Sequence, residues 1–89
     1  MRKSSRPTRK FVFDEEGLTL LANKLKLVRS EKGFTQEELP YQSGLTLSQI
    51  ARIETIKANP TVSTIFKISR TLNISVSELF DFKLSSEKE

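Results

Sequence analysis

The chain has 89 residues with 15 Lys and Arg against 11 Asp and Glu, a formal charge of +4, and neither cysteine nor histidine. That length is a single domain's worth. The composition excludes disulfides, thiolate metal sites, cysteine nucleophiles and the commonest near-neutral general base, and no apolar run approaches the 18 or so residues of a membrane span.

Residues 1–10 carry Arg2, Lys3, Arg6, Arg9 and Lys10 and no acid. With Pro7, two serines and nothing apolar beyond Met1, this stretch is expected to be a disordered, flexible basic arm, assigned to residues 1–13. Two readings of it stay open: a solvated leader, or an arm that contacts DNA phosphates or the minor groove. Asp14, Glu15 and Glu16 follow, and no apolar stretch of secretory length lies between. The expectation is an intracellular, cytoplasmic protein that is not an enzyme, needs no cofactor or metal, and does not enter the membrane.

From residue 18 onward the hydrophobic period is helical. Leu21, Leu25 and Val28 form one stripe of a first helix, opening at Asp14 or at Thr19 and ending at Gly33. Three later segments, Thr35-Gln36-Glu37-Glu38, Thr46-Leu47-Ser48-Gln49 and Ser75-Val76-Ser77-Glu78, fit the capping box, in which a hydroxyl and a Glu or Gln three residues on cap each other's backbone amides. Another helix opens at Thr61 after Pro60 and closes at Asn73. The sum is an all-α bundle of about five helices over residues 14–80. Phe11-Val12-Phe13 and Phe80-Asp81-Phe82 alternate with period two, which allows an edge strand at each end; loose hydrophobic caps on the bundle are the favoured reading.

Between Thr35 and Glu54 two short helices flank Ser43-Gly44-Leu45, the spacing of a helix-turn-helix whose second helix enters the major groove. At about 100° per residue, Leu47 at 0° places Ile50 and Ile53 near 300° and 240°, with Ala51, Ser48 and Arg52 opposite at roughly 40°, 100° and 140°. Arg52 can pair with guanine, Gln49 with adenine, and Leu47 can meet a thymine methyl, while Ser48 donates or accepts. Thr46, Leu47, Ser48, Gln49 and Arg52 are therefore the candidate base-reading set. Gln36, in the first turn of the preceding helix, is placed for an oxyanion.

Val28-Arg29, Gly33-Phe34-Thr35-Gln36-Glu37-Glu38-Leu39, Ser43-Gly44-Leu45-Thr46, Ile50-Ala51-Arg52-Ile53-Glu54, Asn59-Pro60-Thr61 and Leu72-Asn73-Ile74-Ser75 resemble the phage-repressor-type, Cro/C1 or Xre-like, helix-turn-helix family. The resemblance covers roughly residues 20–80 and implies a five-helix, lambda-repressor-like bundle that binds double-stranded DNA, usually as a homodimer, in transcriptional regulation. It also implies backbone contacts by Gln36, Thr55 and Lys57 and an ion pair between Arg29 and Glu54. Two residues depart from the pattern. Pro40 replaces the usual alanine and predicts a short or distorted helix, because it offers no amide hydrogen to the Gln36 carbonyl. Ile56 replaces glycine and predicts that the preceding helix ends differently or runs longer, since a β-branched residue is poorly suited to positive φ.

Leu79 is expected to complete the core, and Phe80 either joins it or meets a partner. The extension 81–89 is expected to supply dimer contacts through Phe82 and Leu84, because they follow the last core helix. An antitoxin-type module that binds a protein partner and represses its own operon is the alternative function. The paired Glu37 and Glu38 are accounted for by first-turn electrostatics and capping, and no nucleophile–base set accompanies them.

Overall fold

The computed structural model describes residues 12–85 as five helices: α1 (Glu15–Glu31), α2 (Glu38–Ser43), α3 (Leu47–Glu54), α4 (Val62–Leu72) and α5 (Val76–Leu79). The five arm cations Arg2, Lys3, Arg6, Arg9 and Lys10 lie outside the described residues, as does Phe11. No strand occurs among the described residues, and Phe80-Asp81-Phe82 forms an irregular turn on the bundle.

Four helix starts follow the hydroxyl and carboxylate caps. The exception is α2, which opens at Glu38 after Glu37, a residue that makes no side-chain capping bond. The Thr35–Glu38 box therefore closes the turn before that helix, and Gln36 lies in this turn and not in the first helical turn, because Pro40 cannot bond the Gln36 carbonyl. Asp14, rather than Thr19, opens α1: its carboxylate accepts the Gly17 N–H at 2.9 Å, and Glu15 and Glu16 face the positive end of the helix dipole. Thr46 and Gln49 cap each other's amides at 2.8 and 3.0 Å. Thr35 and Glu38 do the same, both at 3.0 Å. The Ser75 box is half formed, with the Ser75 hydroxyl accepting the Glu78 N–H at 3.2 Å.

Pro40 has the foreseen effect on α2. The Leu39 and Tyr41 amides reach the Thr35 and Glu37 carbonyls, but Pro40 has no N–H for Gln36, so regular helix is confined to six residues. The proline ring is buried, and this placement in the core accompanies the broken ladder.

Ile56 corrects the sequence reading. The helix α3 neither runs on nor ends in another way; Ile56 takes the left-handed conformation itself, with φ 59°. Its N–H reaches the Ile53 carbonyl at 3.3 Å and the next amide, Lys57, reaches Arg52 at 2.7 Å, the paired bonds of a Schellman end. Gly33 ends α1 and Asn73 ends α4 by the same pair of bonds. The satisfied carbonyls and the need to turn the chain toward α4 outweigh a local cost of roughly 1–2 kcal/mol. Because Ile56 is only half-buried and does not pack on the core cluster, Ile56→Gly is expected to raise stability. Glycine's greater unfolded-state freedom offsets part of the relief, leaving a gain of about 0.5–1 kcal/mol in urea unfolding. A loss would mean that the isoleucine side chain contributes more by packing than its backbone costs.

The core joins Leu21, Leu25 and Val28 of α1 to Leu39, Ile50, Ile53, Ile65, Ile68, Leu72 and Leu79. Helix α3 packs on α1 and α2, and α5 on α1 and α4. Beyond α5 the chain turns back instead of projecting. Phe82 packs against the core cluster, its ring 6.0 Å from that of Phe80, and the Ser85 N–H and hydroxyl both donate to the Glu16 carboxylate at 3.0 Å. Position beyond the last helix therefore does not by itself release Phe82 and Leu84 for a partner, since both are half-buried against their own chain. Phe80, 44% exposed, is the more accessible of the three.

Candidate nucleic-acid interface

Local rules build the exposed face of α3. The Thr46 cap starts the helix, Gly44 in the left-handed conformation (φ 82°) closes α2 just before it, and Ile50 and Ile53 anchor one side in the core. Thr46, Leu47, Ser48, Gln49 and Arg52 are exposed, as the 100° repeat requires, whereas Ala51, expected on the same face, is half-buried.

Several of these side chains already hold partners. The Gln49 carbonyl oxygen accepts the Thr46 N–H, while its amide nitrogen makes no bond among the described residues. An adenine pair needs both ends of the amide, so it would have to share that oxygen. Arg52 Nη2 donates to the Lys57 carbonyl at 2.8 Å, and the Lys57 N–H donates back to the Arg52 carbonyl. The guanidinium thus holds the loop after α3, and its other N–H groups make no bond among the described residues. Thr55 is exposed, its hydroxyl donating to the Ala51 carbonyl at 2.7 Å, and Lys57 is exposed on the same loop.

Under this face lies one ion pair. Arg29 Nε donates to Glu54 Oε2 at 2.7 Å and Nη2 to Oε1 at 3.2 Å, while Nη1 donates to the Phe34 carbonyl at 3.0 Å. The Glu54 side chain is 2% exposed and that of Arg29 16%. Gln36 Nε2 adds a third donor to Glu54 at 3.0 Å. One carboxylate therefore joins α1, the entry to α2 and the end of α3, a charge-assisted bidentate arrangement of the strong kind. Gln36 is half-buried, with one amide hydrogen committed inward and its backbone N–H at the start of the turn before α2.

The link from Gln36 to Glu54 had no sequence signal, since the two lie 18 positions apart and pair only when α2 crosses α3. Asn59 was likewise missed as an interacting residue: its Nδ2 donates to the Val12 carbonyl at 3.0 Å. It also lines a cleft of about 210 Å³ with Gln49, Arg52, Ile53, Thr61 and Thr64. Among the described residues no acidic cluster could hold a metal ion, and no helix is long and apolar enough to cross a membrane.

Two helices joined at a left-handed glycine, the second offering a polar face above a buried ion pair, define a DNA-binding helix-turn-helix protein. A family model described as Helix-turn-helix matches residues 25–79, and the chain belongs to that family, in its Cro/C1-type branch. It is similar to the antitoxin HipB of Escherichia coli K12, 41% identical over 68 residues that cover 76% of each chain. It is also similar to the transcriptional regulator SinR of Bacillus subtilis, 32% identical over 69 residues, 76% of this chain and 62% of that one. Among solved structures, the restriction-modification controller protein C.Esp1396I, a tetramer in complex with its natural 35 base-pair operator, matches with a TM-score of 0.70 and 32% identity. That match covers 76% of this chain and 90% of the controller.

Proposed function

We propose that this DNA-binding transcriptional regulator acts in the cytoplasm as a homodimer on an inverted-repeat operator, each protomer placing α3 in the major groove. The observation that carries the reading is the division of α3: Ile50 and Ile53 buried, Glu54 locked to Arg29, and Ser48, Gln49 and Arg52 outward. In this reading Arg52 pairs with guanine through the N–H groups that Lys57 does not use. Gln49 and Ser48 contact neighbouring base edges, Leu47 meets a thymine methyl, and Thr46 lies at the helix entry. Gln36, Thr55 and Lys57 hold phosphates and set register without reading sequence. Gln36 has a second amide hydrogen and its backbone N–H to give. Thr55 must turn its hydroxyl away from Ala51 or accept through water. Phe80, with Phe82 and Leu84 behind it, is the proposed dimer contact.

Selecting bound duplexes from a random pool tests this. The expected result is two half-sites of opposite orientation with centres about 34 Å, one helical turn, apart. A pool that stays random after selection overturns the reading. The arm Arg2, Lys3, Arg6, Arg9 and Lys10 is proposed to meet phosphates, so deleting residues 1–10 should shrink the slope of log K against log salt by at most about 4.5. An unchanged slope makes it a solvated leader.

The second reading, an antitoxin-type module, is favoured by the 41% identity to HipB across three quarters of both chains. A co-transcribed neighbour whose toxicity this chain neutralises on binding would support it; a neighbour without toxicity would not.

A further inference from the structure

Arg29 and Arg52 occupy the same place in their helices. Each precedes by four positions the left-handed residue at which its helix ends, Gly33 after α1 and Ile56 after α3. Each gives its carbonyl to the N–H five residues on, Phe34 at 2.9 Å and Lys57 at 2.7 Å. In both, the guanidinium then donates to the carbonyl of that same residue: Arg29 Nη1 to Phe34 at 3.0 Å, Arg52 Nη2 to Lys57 at 2.8 Å. The end of α4 has the same backbone pair, but the matching residue is Ser69, whose hydroxyl bonds the Phe66 carbonyl instead. The closed ring therefore comes from the arginine and not from the helix end alone.

What the ring achieves is visible at α1. With Nη1 on the Phe34 carbonyl, the Nε and Nη2 edge stays whole and takes both oxygens of Glu54 at 2.7 and 3.2 Å. At α3 an edge also stays whole. Nη2 carries two hydrogens, one for each two-pronged edge of the guanidinium, so giving either to Lys57 leaves the other edge complete. No acceptor among the described residues fills it, and Arg52 is on the exposed side of α3.

We infer that Lys57 is a positioning residue for base reading: its backbone carbonyl holds Arg52 so that one two-pronged edge is presented to guanine O6 and N7. This rests on the operator reading above, and it gives Lys57 a part in specificity besides the phosphate contact of its ammonium. The left-handed turn at Ile56 brings Lys57 back beside the last turn of α3, within reach of the arginine. A long exposed side chain loses rotamer freedom when it docks on a base, and one already held loses less. Because the held edge has a fixed direction, the gain falls to the base that matches it.

The test replaces the amide between Lys57 and Ala58 with an ester in the chemically synthesised 89-residue chain. The ester carbonyl is a weaker acceptor, no charge changes, and the Ala58 N–H that is lost makes no bond among the described residues. The readout is a ratio of Kd values at one salt concentration, for the selected duplex and for the same duplex with the Arg52 guanine replaced in each half-site. The ester should lower that discrimination about three- to tenfold, and should lower it no further in a chain carrying Arg52→Ala. Lys57→Ala keeps the carbonyl, so it should weaken both duplexes alike and leave the ratio. If the ester chain does not fold, nitrogen NMR of the free, unmodified protein decides: slow rotation about the Arg52 Cζ–Nη2 bond supports the inference, and free rotation overturns it. A ratio that the ester leaves unmoved, or moves equally without Arg52, also overturns it. An unmodified protein without selectivity would instead bring down the operator reading, and this inference with it.

Discussion

Glu54→Ala is expected to lower the unfolding free energy by about 3–5 kcal/mol. Its carboxylate is the common acceptor for Arg29 and Gln36. Removing it strands a guanidinium whose side chain is 16% exposed, with the Phe34 carbonyl as its one remaining partner among the described residues. At about 4–8 °C per kcal/mol for a domain of this size, the melting midpoint should fall by more than 10 °C. Replacing both partners with apolar residues, Arg29→Met with Glu54→Leu, should restore much of the loss, because the penalty comes from an unpaired buried charge more than from the pair's net worth. Urea unfolding of the parent and the two variants measures this. A cost below about 1 kcal/mol for Glu54→Ala would show that water enters the site and solvates Arg29.

Arg52→Ala is expected to cost about 1–3 kcal/mol of affinity for the selected operator and to relax preference at one base position in each half-site. Its effect on folding should stay within about 0.5 kcal/mol, since the side chain is exposed and its one bond among the described residues is to the Lys57 carbonyl. That contrast separates it from Glu54→Ala, which lowers binding through stability. Arg52→Lys retains the charge but not the fork that reaches guanine O6 and N7 together, so it should keep binding to random duplex while losing preference. If the preference profile of Arg52→Ala matches the parent, Arg52 belongs to the loop and not to the reading set.

Both experiments probe residues that the linear pattern singled out, but for reasons it exposed unequally. The buried and exposed sides of α3 were legible because they follow from a 100° repeat and two isoleucines. Arg52's bond to Lys57, Gln49's committed oxygen and Gln36's inward amide were not. Each is a choice among several partners of similar energy, and which partner is near depends on how α2, α3 and the following loop pack. The Ile56 expectation failed for a related reason: steric preference at one residue was weighed alone, whereas the helix end also supplies partners for two carbonyls and turns the chain toward α4.

Local pattern was enough for the helix inventory, the turn at Gly44, the Thr46, Thr61 and Ser75 caps and the buried and exposed sides of α3, since these depend on neighbours within about four positions. The choice of Asp14 over Thr19 and the late start of α2 were not legible. The tertiary structure decided what no local rule carries: the return of residues 81–85 onto α1, the meeting of Arg29, Gln36 and Glu54, and the tether from Asn59 to Val12. Those pairings join positions 18 to 69 apart. They exist only after core burial has brought the helices together, because a single hydrogen bond is worth too little to close such loops on its own.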